Sequence, residues 1–449
     1  MSKSGVAFST KSTEGVYFSS FFYIRLQTFV DCFNKDFTLV QGTKDYEDIS
    51  TFSHEYIHYM QDISTAYGLS NIYNTYGRIG NYLAVAFQSE ETSIKLPVFI
   101  DDINDSLLVD VLMENALGTD MRELWTCSVP FQDIEIVSIT YGKNEIFDIA
   151  ELCHYDNLAT HLVQLQLRLS RVDGQVYSKE FSFGACAIRE SMANLIEQYI
   201  FPNDRHGMVV QYDIVEVICN GAKIEGCNKA FMVSLCDYSL MTSNPGLCFM
   251  IILGTMQKRK YTHESLDKLY RFLEECWIPK YDNTLYAAKK RIADMFPEKS
   301  DFLKAPGAFL LQLIDKAFEF RFEYPHFWGE IVEIDRVDAL NRFIKLTRLF
   351  GCTLVVDDFN NFFSTCSTDN DLLVFPTYYA IYSLFTSAGN FKCQNYDICH
   401  ELCREKIDAN CENSPWVKST MKNNKQTCAF GALWHYWNLS GKGLYVDEP

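Results

Sequence analysis

Five residues constrain this chain more than any others: His54-Glu55-Tyr56-Ile57-His58, inside a segment whose pattern is helical from Thr43 to Tyr67. On an α-helix, residues i and i+4 share a face, so the two imidazoles converge on one point. Such a pair is suited to a divalent ion, Zn²⁺ above all. Glu55 projects beside the same face, within reach of a metal-held water without itself being a ligand. Hydrolysis needs this arrangement. The ion lowers the water's pKa toward ~7, and a carboxylate takes the proton and passes it to the leaving amine. Phe52, Ile57, Met60 and Ile63 give the helix an apolar side for burial. Gly68 is placed to stop it.

A catalytic zinc site needs a third protein ligand. The chain lacks a third His at the H-x-x-G-x-x-H continuation, having Gln61 and Ser64 there. A Glu from a second helix is the other common solution, and no Glu lies between His58 and Glu90. The best candidate is Glu190, on a helix expected over Ala185–Ile200, with the small residues Ala187 and Ala193 on its flanks. Glu197, Glu90 and Glu91 are the alternatives.

His54–Asp62, read as H-E-x-x-H-x-x-x-D, resembles the active-site helix of zincin metallopeptidases, particularly the gluzincin branch. Glu190-x-x-x-Asn194 resembles that branch's E-x-x-x-D. The resemblance covers these two helices. It departs from the branch in a much longer spacing between them and in Asn where Asp is usual. It implies a peptide-bond hydrolase in which His54, His58 and Glu190 hold zinc and Glu55 is the general base. Asn194 and Asp62 would then support the ligands from behind. It also implies an extended peptide substrate pairing with a sheet edge beside the metal helix. The strands expected within 134–183 are candidates for that edge. A transition-state donor is implied too, with Arg189, Tyr199, Arg205, His206 and Tyr212 near the second helix.

Other readings compete. Glu151-Leu152-Cys153-His154 and Glu323-Tyr324-Pro325-His326 are further E-x-x-H strings, which suit a di-iron carboxylate bundle. Pro325 breaks helical spacing in the second. A non-catalytic binding protein on a zincin fold is the other class, but retention of Glu55 favours an enzyme. Near the C-terminus, Cys393, Cys399, Cys403, Cys411 and Cys428 with His400 form a dense stretch. It reads either as a second, structural metal site or as buried free thiols.

The remaining pattern gives an α+β class, predominantly helical. Short strands are expected in Gly15–Phe22 and Phe37–Gln41, and helices over Asn71–Phe87 and Ser106–Trp125. Hairpins are expected over Ile134–Phe147, around Tyr141-Gly142-Lys143-Asn144, and over Leu162–Phe183, with Asp173-Gly174 at the turn and strict alternation from Leu165. Asn244-Pro245-Gly246 opens a helix, and Thr262 and Asp301 are candidate caps. A zincin-like catalytic domain with a small mixed or antiparallel sheet is expected over 1–205. A helical region (206–390) completing the cleft and a Cys-rich segment (391–449) follow.

With 40 Lys+Arg against 58 Asp+Glu the net charge is −18, which disfavours nucleic acid and anionic membranes as partners. No secretory h-region or apolar 20-mer is visible, so a cytoplasmic protein with reduced thiols among its 16 Cys is expected.

Overall fold

A computed structural model describes residues 15–27, 46–89, 92–98, 117–118, 131–143, 161–202, 207–276, 279, 281–357, 362–365, 373–386, 391–393, 395–396, 398–399, 407–420 and 428–446. Strands β1 (Gly15–Phe18) and β2 (Tyr23–Leu26) precede helices α1 (Tyr46–Ser64) and α2 (Ala66–Gln88). Next come β3 (Ser93–Lys95), β4 (Phe131–Lys143), β5 (His161–Arg171) and β6 (Val176–Phe183). A helical run follows: α3 (Ala185–Ile200), α4 (Val210–Ala222), α5 (Lys229–Ser239), α6 (Pro245–Arg259) and α7 (Leu266–Cys276). It continues with α8 (Asp282–Met295), α9 (Lys304–Glu323), α10 (Phe327–Ile331) and α11 (Arg336–Phe350). Strands β7 (Leu354–Asp357) and β8 (Phe362–Phe363) lead to α12 (Val374–Thr386), α13 (Asn410–Asn413), α14 (Ala429–Tyr436) and β9 (Gly443–Tyr445). The class is α+β, mostly helical with small sheets.

Helix α1 is the centre of the molecule. Ile49, Phe52, Tyr56, Ile57, Tyr59, Met60 and Ile63 are buried around its circumference. Each such side chain contributes about 1.5–3 kcal/mol of burial. Around it pack α2, α3, α9 and the first two strands. Helix α3 presents Ala187 and Ala193, both buried, on either side of Glu190, as the sequence suggests. Small side chains there let the two helices approach.

The sheet against α1 is not the one expected. It has the order β1-β2-β7-β8, with β2 parallel to β7 and the other pairs antiparallel. The strands within 134–183 form a separate antiparallel sheet, β4-β5-β6, that packs on α4 and α6. Of the turn expected over Tyr141-Gly142-Lys143-Asn144, the first three residues lie in β4, and Asn144 lies outside the described residues. Strand β4 runs straight through these three, pairing Tyr141 with Val163 and Gly142 with Leu162. The second hairpin turns at Gly174, whose φ of +84° suits a residue without Cβ. Leu165, Leu167 and Leu169 are buried, as the alternation requires.

Helix α1 ends four residues before Gly68. Thr65 caps α2, accepting from the Gly68 N–H at 3.0 Å. Gly68 therefore opens the next helix, where a Cβ would lie 2.3 Å from the Asp62 carbonyl. The two helices can meet this closely only at glycine. Asn244 caps α6 as expected. Thr262 instead forms a bridge with Glu225, Ser265 accepts from the Lys268 N–H at the start of α7, and α9 begins after Leu303 without a side-chain cap. Residues 37–41 lie outside the described residues, as does 106–125 apart from 117–118.

Elements from all three expected segments share sheets: β2 with β7, and β3 with β9. Buried side chains from Tyr17 to Leu444 form one continuous core. No described helix is long and apolar enough to cross a membrane.

Candidate metal centre

Helix α1 carries His54, Glu55, His58, Gln61 and Asp62, all buried. Buried polar groups are costly unless paired, so each should have an identifiable partner. His54 Nε2 lies 3.2 Å from His58 Nε2, the i and i+4 convergence expected of a helix. Glu190 on α3 completes the group, with Oε2 3.2 Å from His54 Nε2 and Oε1 3.4 Å from His58 Nε2. Its side chain is 25 % exposed against 10 % for His54, so the group opens to solvent on the α3 side.

These separations fit a tetrahedral ion. Ligand bonds of about 2.0–2.1 Å place neighbouring donor atoms about 3.3 Å apart. The protonation pattern fits as well. His54 Nδ1 faces Glu197 Oε2 at 2.9 Å, and His58 Nδ1 faces Gln61 Oε1 at 2.8 Å. Both contacts suit a ring N–H at Nδ1, which leaves Nε2 of each ring as the atom that can lose its proton to an ion at the shared centre. His54, His58 and Glu190 form the only metal-type grouping of this geometry among the described residues.

Electrostatics follow from the packing. Burial works against a charge on His54, but hydrogen bonds to Glu190 and Glu197 outweigh it and raise its pKa well above the ordinary value. Burial would raise Glu190, yet the neighbouring imidazoles hold its carboxyl well below the usual range. Burial pushes Glu55 upward, opposed by His54 and His58.

Glu55 accepts a hydrogen bond from the Tyr17 N–H, 2.6 Å from Oε2. This N–H belongs to β1, which ends the sheet order, and it points away from β2 toward the helix. Among the described strands β1 is the outer one, and its outer edge packs against the Glu55 carboxylate. A Cβ on Gly15 would stand 2.8 Å from Thr51 Cγ2 and 3.0 Å from Glu55 Cγ, so the strand lies close against α1.

Two residues beyond Asn194 and Asp62 stand behind the histidines. Asn194 accepts from Gln198 at 3.2 Å, while the carboxylate that orients His54 is Glu197, also bonded to Ser50 Oγ at 2.6 Å. Glu197 lies seven residues after Glu190, two turns along the same face, and that periodicity was the signal for it. Gln61, one turn after His58, is the other residue the motif did not announce. Asp62 engages the β1–β2 segment and Arg189. Its Oδ2 accepts from Tyr17 Oη at 3.0 Å, Ser19 Oγ at 2.7 Å and the Ser20 N–H at 2.8 Å, while Oδ1 lies 3.1 Å from Arg189 Nη2.

Of the donor candidates, Tyr212 at the start of α4 packs edge-on to His54, ring centroids 5.8 Å apart. Burial and the Glu190 charge push its hydroxyl up to about 12, so it stays protonated at neutral pH. Arg189 is paired with Asp62, and the Tyr199 hydroxyl donates to the Ile334 carbonyl. Arg205, His206, Glu90, Glu91, Glu151 and His154 lie outside the described residues. His326 stacks on Tyr270, 4.1 Å between centroids, away from the metal group.

In the tail, Cys393, Cys399, Cys411 and Cys428 are free thiols, and Cys403 and His400 lie outside the described residues. The Cys393 N–H donates to the Cys411 carbonyl at 2.9 Å, and Cys428 Sγ accepts from the Gly431 N–H at 3.3 Å, capping α14. Burial pushes the Cys393 thiol up to about 12 and raises Cys428.

No protein-family model matches the chain, and neither the curated proteins nor the solved structures include a match.

Proposed function

We propose that this protein is a zinc-dependent metallopeptidase of zincin type, acting on peptide or protein substrates in the cytoplasm. One observation carries the reading: two Nε2 atoms and a carboxylate at mutual separations of 3.2–3.4 Å, with a buried glutamate beside them. His54, His58 and Glu190 would hold the ion. Bound there, Zn²⁺ supplies Lewis acidity that acidifies water and polarises the scissile carbonyl.

The chain's own residues do the rest. Glu197 and Gln61 keep both imidazoles in the tautomer that presents Nε2. The Tyr17 N–H holds one oxygen of Glu55, which leaves the other to take the proton of an attacking water. Burial raises the basicity of Glu55 above that of an exposed carboxylate, which suits proton transfer near neutral pH. Glu55 then delivers the proton to the leaving nitrogen. Tyr212, protonated and against His54, is the donor best placed to stabilise the developing oxyanion. The eleven described cysteines are free thiols, in keeping with a reducing compartment.

The test is Glu55→Gln. It is expected to keep about one zinc per chain and to lose about 10²–10⁴-fold in cleavage of a peptide library. Unchanged cleavage would overturn the mechanism. Zinc binding without cleavage by the wild type would favour the non-catalytic binding protein.

A further inference from the structure

The polar groups behind His58 form a connected set that the proposed chemistry does not use. His58 Nδ1 donates to Gln61 Oε1, and that oxygen also accepts from Arg189 Nε at 3.2 Å. The other end of the Gln61 carboxamide is tied as well. Its Nε2 donates to the Arg189 carbonyl at 3.3 Å and lies 3.4 Å from Met192 Sδ. Arg189 thus grips both ends of one side chain. A carboxamide turned the other way would set its N–H groups against the N–H of Arg189 Nε and the N–H of His58. It would also bring its oxygen toward a carbonyl. One orientation is allowed, and Arg189 selects it.

Arg189 is itself fixed. Its Nη2 lies 3.1 Å from Asp62 Oδ1 and donates to the His58 carbonyl at 3.4 Å, while Nη1 donates to Ser19 Oγ at 3.3 Å. The guanidinium is buried, and the Asp62 side chain facing it is 0 % exposed. Arginine presents donors in a rigid planar fork, which a lysine ammonium does not reproduce.

We infer that Arg189 is a positioning residue for the metal centre. It locks the Gln61 carboxamide, which in turn holds His58 with its proton on Nδ1 and its lone pair on Nε2. The inference rests on the metal-centre reading proposed above. Residues behind metal ligands set affinity by about 10–100-fold when removed.

The distinguishing chemistry is that a carboxylate accepts from His58 either way round, at the cost of one oxygen facing the residue-189 carbonyl. Arg189→Lys keeps a positive charge for Asp62 but removes the Nε–H that orients Gln61. Zinc affinity, read by competition with a chelating dye, is expected to fall about 10–100-fold. The Co²⁺ visible spectrum, a direct signature of ligand geometry, is expected to change with it. Adding Gln61→Glu to Arg189→Lys is expected to recover at least part of the lost affinity, because either carboxylate oxygen accepts from His58. Wild-type affinity and spectrum in Arg189→Lys would overturn the inference. So would a double variant as weak as Arg189→Lys, which is the result of a merely structural ion pair. If Arg189→Lys does not fold, the Arg189-intact pair Gln61→Leu and Gln61→Glu decides. Loss in the first with retention in the second supports the orienting role, and equal affinity in both removes it. Failure of the metal-centre reading is separately visible: the wild type would then bind no zinc that depends on His58.

Discussion

Two stretches of this chain are rich in metal-binding side chains, His54–Glu197 and Cys393–Cys428, and among the described residues only the first brings its donors to a point. The difference lies in the backbone. In the first, one helical turn aligns two imidazoles and a second helix lays Glu190 across them. In the second, the thiols sit on short elements and turns, and the Cys428 sulfur is already engaged as the cap of α14. Charge separates them too. The Glu190 carboxyl is held well below its ordinary range and is a ready anion, whereas burial keeps the Cys393 thiol protonated, at about 12. Ligands must be deprotonated to bind. A cluster of the right elements is therefore not a site until the fold both aligns and ionises it.

The contrast is sharpest where the first region is stiffest. Asp62→Asn strips a buried Arg189 of its counter-charge, so unfolding free energy is expected to drop by about 3–5 kcal/mol in urea titration. A drop under about 1 kcal/mol would mean the pair is solvated and the region no stiffer than the tail.

Acidification gives the next largest effect. In the metal-free protein His54 binds its proton more tightly than a free imidazole, so zinc uptake must displace it. Below that raised pKa, zinc affinity should fall about tenfold per pH unit. The same proton contributes to metal-free stability below the unfolded value of about 6.5, and that contribution is lost as pH rises through the folded pKa. Glu190, with its lowered pKa, contributes above the unfolded value of about 4.3 and loses it as pH falls. An affinity flat from about pH 8 to about pH 5 would contradict the assignment of His54.

Glu197→Gln keeps size but weakens the acceptor behind His54, and should cost about tenfold in zinc affinity by chelator competition. Equal affinity would return the orienting role to Asn194. The smallest effect belongs to the tail: Cys428→Ser exchanges one cap acceptor for another and should change stability by under about 0.5 kcal/mol with metal content unchanged. A loss of metal there would break the contrast.

Much of the centre was legible because helical spacing is local. His54 and His58 declare themselves by four residues, and α3 was bounded at Ala185–Ile200 by the strand before it and the small residues within. What escaped was set by long-range packing. Nothing local announces that Tyr23–Leu26 lies parallel to Leu354–Asp357, because each is a short apolar run that pairs equally well elsewhere. Tyr141-Gly142 carries turn chemistry, but β5 pairs every residue from Ser138 to Lys143 and holds it extended. Gln61 and Arg189 read singly as ordinary helix residues; their meaning depends on α1 and α3 facing each other.

Metal analysis of the purified wild type beside His58→Ala and a Cys393→Ser/Cys411→Ser double variant is the most direct test. About one zinc per chain is expected in the wild type and in the thiol variant, and essentially none in His58→Ala. Zinc that survives His58→Ala but leaves with the thiols would contradict this reading.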